Sequence, residues 1–266
     1  MRTFRFFPLT LLASLLLVCA PSVAQSNDAA HRGLEIAKEA DKRASGFVDS
    51  EESFTMTLRD SRDRERVRTL RVHTLERDDD GDWSMTMFDE PADVRGTALL
   101  TYSHGLEPDD QWIYLPAMRR VKRISSRNRS GPFMGSEFAF EDMSAFELEK
   151  FSYRYLRDEH CGDDLCFVVE WTPLYEHSGY TRLIVWTDQT EYRTHRIEYY
   201  DSRDQHLKTL SLSNFKLFKD RFWRALHWEM ENHQNHKTTV LDYNSIEFGV
   251  GLSDRDFDQK ALQRAR

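Results

Sequence analysis

Apolar and polar residues alternate with a period of two along most of this chain. Phe54, Met56 and Leu58 are separated by Thr55 and Thr57, the pattern of a strand with one buried face. The turn Ser61–Arg64 returns the chain over Val67–Glu76. Beyond the acidic turn Asp78–Asp82, Trp83, Met85 and Met87 face opposite to Ser84, Thr86 and Phe88. Thr97–Tyr102, Gln111–Leu115 and Met118–Ile124 continue the series. The second half repeats it over Lys150–Leu156, Cys166–Thr172, Tyr180–Thr187, Thr194–Asp201, Leu207–Leu217, Phe222–Glu231 and Thr238–Phe248. Short polar turns such as His177–Gly179, Asp201–Gln205 and Lys219–Arg221 separate these runs. Regular short strands joined by turns predict a mainly β (α+β) chain whose antiparallel sheet, of about 11–13 strands, curls into a barrel or sandwich.

Two segments have a different period. Asp28–Ser45 is rich in Ala, Leu, Glu and Lys, with Leu34, Ile36, Ala37 and Ala40 as an apolar stripe and Gly46 as a stop signal, which predicts a helix. Asp256–Arg264 predicts a short closing helix. With no internal repeat and no low-complexity linker, residues 25–266 are expected to form one domain.

The N-terminus reads as a signal peptide. Arg2 and Arg5 form a positive start, Phe6–Ala20 is apolar, and Ser22-Val23-Ala24 offers small residues for cleavage after Ala24. The apolar run is short for a membrane span of ~20 residues. The chain carries a formal charge of −8, or −10 without Arg2 and Arg5. Export and acidity both argue against a nucleic-acid partner. The 17 Phe, 10 Tyr and 6 Trp supply enough aromatic surface for a large core or cavity. Cleavage would leave two cysteines, Cys161 and Cys166, flanking a predicted turn. In an oxidising compartment they are expected to form a structural disulfide, worth ~2 kcal/mol for so short a loop.

Chemistry for catalysis is missing from the sequence. There is no nucleophile elbow, zinc-protease helix, phosphate loop or dinucleotide fingerprint, so neither an enzyme nor a cofactor is expected. His233 and His236, with His227 upstream, have metal-like spacing but fall at a predicted hairpin tip, where polar turn residues are ordinary.

The most unusual stretch runs from Gln111 to Met143. An aromatic strand, Trp112–Leu115, ends at Pro116. A basic run follows, with Arg119, Arg120, Lys122, Arg123, Arg127 and Arg129 and no acid among them. Phe133 and Met134 then stand between Gly131 and Gly135, either as a mobile plug or lid or as a fixed loop packed on the sheet. An arginine turned into a sheet interior is costly unless paired or wet. The basic run is therefore expected either to pair with Glu137, Glu141 or Asp142 or to sit at a solvated rim, where it would meet anionic head groups or an acidic partner.

The segments Pro91–Leu100 (PADVRGTALL), Gln111–Pro116 (QWIYLP), Arg119–Ile124 and Phe133–Phe138 (FMGSEF), ending Glu141-Asp142-Met143, resemble the LolA-like family of outer-membrane lipoprotein-sorting proteins. The resemblance covers essentially the whole mature chain. It implies a half-open antiparallel barrel, covered by helices or loops, around an apolar cavity that takes acyl chains in the periplasm. The expected function is a soluble periplasmic carrier of a lipid or lipoprotein, with an inner-membrane exporter and an outer-membrane acceptor as possible partners and transient membrane contact. The alternative is a lipid-sensing regulatory module, or an exporter's accessory subunit, built on the same barrel. Candidate cavity residues are Trp83, Met85, Met87, Leu99, Trp112, Tyr114, Phe133, Met134, Ile184, Trp186, Leu226, Trp228 and Met230. The basic run supplies candidate head-group or partner contacts.

Overall fold

The computed structural model describes residues 23–77 and 80–264, with side chains from residue 27 onward. The expected signal peptide lies outside the described residues, apart from its last two positions. Those positions begin helix α1 (Val23–Ala44).

The predicted strands form as one antiparallel sheet. In chain order they are β1 (Asp49–Arg59), β2 (Glu65–Leu75), β3 (Trp83–Glu90), β4 (Ala98–Tyr102), β5 (Asp110–Leu115), β6 (Arg120–Ile124), β7 (Phe151–Cys161), β8 (Asp164–Pro173), β9 (Tyr180–Asp188), β10 (Thr194–Asp201), β11 (His206–Phe218), β12 (Phe222–Asn232) and β13 (Lys237–Phe248). The spatial order is β6-β5-β4-β3-β2-β1-β13-β12-β11-β10-β9-β8-β7. Two meanders are thus joined where β1 pairs with β13, with Met56 opposite Leu241. The sheet stays open, with β6 and β7 as its edges. This is the half-open barrel. The expected strand from Met118 starts later, because Pro116–Met118 forms a 3-10 turn and Arg119 adopts a left-handed φ of 49°. The closing helix α2 is confined to Gln259–Arg264.

Register decides which side chains share a face. Met85 lies opposite Leu100, and Leu100 opposite Trp112, while Thr86, Leu99 and Ile113 form the alternate row. The first row packs on the outer face with Phe257 and with Leu262 of α2, which lie over β3–β5. The second row joins the inner core with Phe54, Leu70, Phe88 and Met230.

The connection from β6 to β7, residues 125–150, links opposite edges of the sheet and crosses its concave side. Phe133 is fully buried there, and Phe138 nearly so, against the inner faces of β1–β5. The Phe133 ring lies 5.7 Å from that of Phe88 and 5.5 Å from that of Phe140. Polar contacts fix the crossover. Arg68 of β2 donates to the Met134 carbonyl, Lys208 of β11 donates to the Glu137 carbonyl, and the Glu137 amide donates to Thr239 of β13. Part of the concave face is therefore filled by the protein's own chain, with Phe133 buried in that filling.

Another part is roofed by α1. Ile36 and Ala37 bury against Tyr153 and Val169. Cys161 and Cys166 form the disulfide across the β7–β8 hairpin, with Cα atoms 5.9 Å apart. Among the described residues, no helix is long and apolar enough to cross a membrane.

Candidate functional site

A cavity of about 930 Å³ opens between α1 and the inner face of β8–β12. Its floor follows from register. Trp171 pairs with Leu183, Leu183 with Tyr199, Ile197 with Leu210, and Leu212 with Trp228, so one apolar row crosses five strands. Ala37, Ala40 and Ala44 face it from the helix, and Phe47, Phe151 and Trp223 add aromatic surface at its margins. Small residues on the roof and large flat ones on the floor leave an elongated space that an apolar chain can fill.

One end of the cavity is polar. Asp109 is 7 % exposed and binds two buried cations: Arg129 at 2.9 Å and the Lys150 ammonium. Asp142 accepts from Lys208 at 2.6 Å and from the Tyr180 hydroxyl at 2.8 Å. Glu141 makes no ion pair among the described residues. It accepts from the Tyr175 and Ser178 hydroxyls and the Gly179 amide. Burial first, and the neighbouring Asp142 second, raise the Glu141 carboxyl above its usual range. Burial raises the Tyr180 and Tyr199 phenols well above theirs, so both stay neutral. These groups join the crossover to β9 and β11 and close the cavity against the filled part.

The opposite margin lies under the end of α1. Arg221 donates to the Ser45 carbonyl at 3.0 Å and Arg224 to the Ala44 carbonyl at 3.1 Å. Arginines at a helix C-terminus satisfy its orphan carbonyls and complement its dipole. Neither makes an ion pair among the described residues, and both line the cavity.

Among the residues singled out from sequence, Trp228 and Arg129 line this cavity. Trp83, Met85, Met87, Trp112 and Tyr114 belong to the outer cluster under α2. Ile184 and Trp186 lie on the outer face with Cys166 and Val168. Leu99, Phe133 and Met230 are inner residues in the filled core, Met134 packs partly against it, and Leu226 is half-buried on β12. The cavity residues that sequence reading missed include Trp171, Leu183, Ile197, Tyr199 and Trp223. Strict alternation in Arg196-Ile197-Glu198-Tyr199 was a usable signal for two of them. The continuous apolar run Leu183–Trp186 carried none.

The basic run divides as well. Arg129 is buried on Asp109 and Arg123 pairs with Asp110, while Arg119, Arg120, Lys122 and Arg127 are exposed. The acids expected to pair with the run are occupied elsewhere: Glu137 by Asn232 and Asn235, Asp142 by Lys208, and Glu141 by hydroxyls. Their partners come from strands and turns far along the chain, which sequence proximity does not reveal.

Among the described residues, Asp164, Asp188 and His195 come close enough to share a metal ion. Asp188 is already committed. Burial would raise its carboxyl, but His195, the Glu191 amide, the Arg193 guanidinium and Thr190 outweigh burial and hold it well below the usual range. It organises the β9–β10 turn.

A family profile described as an uncharacterized protein matches residues 80–264. An outer membrane lipoprotein-sorting protein domain from Vibrio parahaemolyticus is 46% identical, covering 88% of this chain and 100% of its own, with a TM-score of 0.86. A DUF1329 family protein from Desulfovibrio piger is 27% identical over 88% of this chain and 99% of its own, with a TM-score of 0.84. A LolA superfamily protein from Nitrosomonas europaea shares the fold at 22% identity, covering 86% of this chain and 98% of its own, with a TM-score of 0.71. No curated protein matches by sequence.

Proposed function

Because the chain belongs to the LolA-like family of outer-membrane lipoprotein-sorting proteins, we propose that it is a periplasmic carrier that shields acyl chains of a lipid or lipoprotein. One observation carries this reading. The same concave face is filled by the protein's own crossover on one side and left open on the other, over an apolar floor and beneath a single helix. A cavity of about 930 Å³ is at the upper end of ordinary ligand sites, roughly 300–1,000 Å³.

The task is energetic, not catalytic. Exposing a 16-carbon chain to water costs on the order of 12 kcal/mol, at ~0.8 kcal/mol per methylene. The floor of Trp171, Leu183, Ile197, Tyr199, Leu210 and Trp228 offsets that cost by covering the chain. The roof keeps the bound state reversible, because α1 rests mainly on β7 and meets β12 only through its last residues. Arg221 and Arg224 stand where an anionic head group would leave the cavity. An inner-membrane exporter would load the carrier and an outer-membrane acceptor would receive the cargo.

Native mass spectrometry of the protein purified without detergent from an exported compartment, followed by lipid extraction, tests this reading. A co-purifying acylated mass is expected, together with transfer of labelled lipid from donor to acceptor vesicles. A bare protein mass that takes up no added phospholipid or lipopeptide would overturn the reading.

A further inference from the structure

The edge strand β6 and its flanking turns form a cationic ridge that is separate from the cavity. Arg119, Arg120, Lys122 and Arg127 are exposed, and none makes a salt bridge or side-chain hydrogen bond among the described residues. Met118, at the tip of the turn before β6, is 48% exposed. The two other cations of the run are neutralised by Asp110 and Asp109. The remaining four face solvent on a chain whose formal net charge is −8, so the ridge is a local reversal of the overall field. Residues 118–130 contain no acid, and the acids beside the run, Glu107 and Asp110, lie at its Arg123 end. None of the four lines the cavity.

We infer that this ridge docks the protein on an anionic lipid bilayer. The inference rests on the carrier reading, because it supplies the surface on which cargo would be collected or delivered. Part of the charge reflects general edge-strand design, since cations on a free edge discourage pairing with other strands. Edge protection does not require the row to continue past the strand to Arg127, nor to begin at an exposed Met118. The arrangement also favours a bilayer over an acidic protein. Strand parity sends Arg120 and Lys122 toward one face of the edge and Arg123 toward the other, and Arg119 and Arg127 stand on the turns at either end. Such an edge is diffuse, with one exposed apolar side chain. A stable protein interface needs roughly 1,000 Å² with an apolar centre, which a lone methionine does not provide. A bilayer needs only charge at its surface and a flexible apolar group that reaches the head-group layer. Docking through the ridge leaves the cavity residues uncovered by it.

The test is co-sedimentation with extruded vesicles, either phosphatidylcholine alone or phosphatidylcholine with phosphatidylglycerol. Three forms are compared: the unmodified protein; a ridge variant carrying Arg119→Gln, Arg120→Gln, Lys122→Gln and Arg127→Gln; and a control carrying Arg62→Gln, Arg66→Gln, Arg203→Gln and Lys260→Gln. The control loses the same charge from exposed positions elsewhere. Each cation near an anionic surface strengthens binding by roughly fivefold. The ridge variant is therefore expected to lose on the order of a hundredfold or more in affinity for anionic vesicles, while the control keeps most of it. High salt should release the unmodified protein. Equal sedimentation with neutral and anionic vesicles, or equal binding by the ridge variant and the unmodified protein, would overturn the proposal. So would binding to an acidic polypeptide without binding to vesicles, which would assign the ridge to a protein partner. Uptake of a fluorescent fatty acid is read on the same samples. Normal uptake without docking counts against the ridge alone, and docking without uptake counts against the carrier reading.

Discussion

Gly33 of α1 lies against the backbone of Tyr155 in β7, so close that a Cβ at Gly33 would sit 2.8 Å from the Tyr155 nitrogen. The neighbouring Arg154 nitrogen would be at 3.0 Å. This contact sets how tightly the roof seats on the sheet. Backbone atoms do not yield as a side-chain tip does. Gly33→Val should destabilise the protein by about 1–3 kcal/mol, as overpacking does, or lift α1 instead. Urea melts measure the first effect. Faster exchange of a fluorescent acyl probe measures the second, and an unchanged melt with unchanged exchange would refute the close contact.

The crossover is held by a buried ion pair. The side chains of Lys208 and Asp142 are 3% and 6% exposed, and their atoms meet at 2.6 Å. Lys208→Met leaves the Asp142 carboxylate without its cation in an apolar setting and should cost about 3–5 kcal/mol. The double variant Lys208→Met, Asp142→Leu should lose less than the single one, because no unpaired charge remains. Denaturant melts of both variants decide the order.

Phe133 is fully buried and its ring contacts Phe88 and Phe140. Phe133→Ala should therefore behave as a core truncation, with a loss of about 3–5 kcal/mol. Were Phe133 a mobile lid, the same change would leave stability untouched and alter only cargo retention. Calorimetry separates these outcomes.

Burial, aided by the neighbouring Asp82, pushes the Glu147 carboxyl up to about 7. Burial pushes Asp82 itself up to about 6. Unfolded carboxyls titrate near pH 4. Between about pH 4 and 7 the folded state therefore binds more protons than the unfolded state, and stability falls as pH rises through that window. Glu147→Gln removes one of these groups and keeps an oxygen that can accept the Asp82 amide hydrogen bond. Its melting temperature should match the unmodified protein at pH 4 and exceed it at pH 8. Parallel curves across the range would contradict the assignment.

The strands were legible because a period of two survives in most of them from β1 to β13, and helix α1 because its stripe of Leu34, Ile36 and Ala37 is helical. Facing was less legible. Met85 and Trp112 look like inner residues until α2, at the far end of the chain, is seen to cover the outer face of β3–β5. In Leu183-Ile184-Val185-Trp186 all four side chains are buried because both sheet faces are covered there, so alternation vanishes. The separation of Arg129 from Arg127 was also hidden. It depends on Asp109 and Lys150, which the sequence places about twenty residues to either side.

The six tryptophans test the central claim. Trp171, Trp223 and Trp228 line the cavity, whereas Trp83, Trp112 and Trp186 lie on the outer face. Bromine on an acyl chain quenches indole fluorescence on contact. Titration with a dibrominated fatty acid should quench the unmodified protein, and also the variant with Trp83, Trp112 and Trp186 changed to Phe. The variant with Trp171, Trp223 and Trp228 changed to Phe should bind without quenching. Quenching that persists in this inner variant, or is lost in the outer one, would contradict an acyl-binding cavity beneath α1.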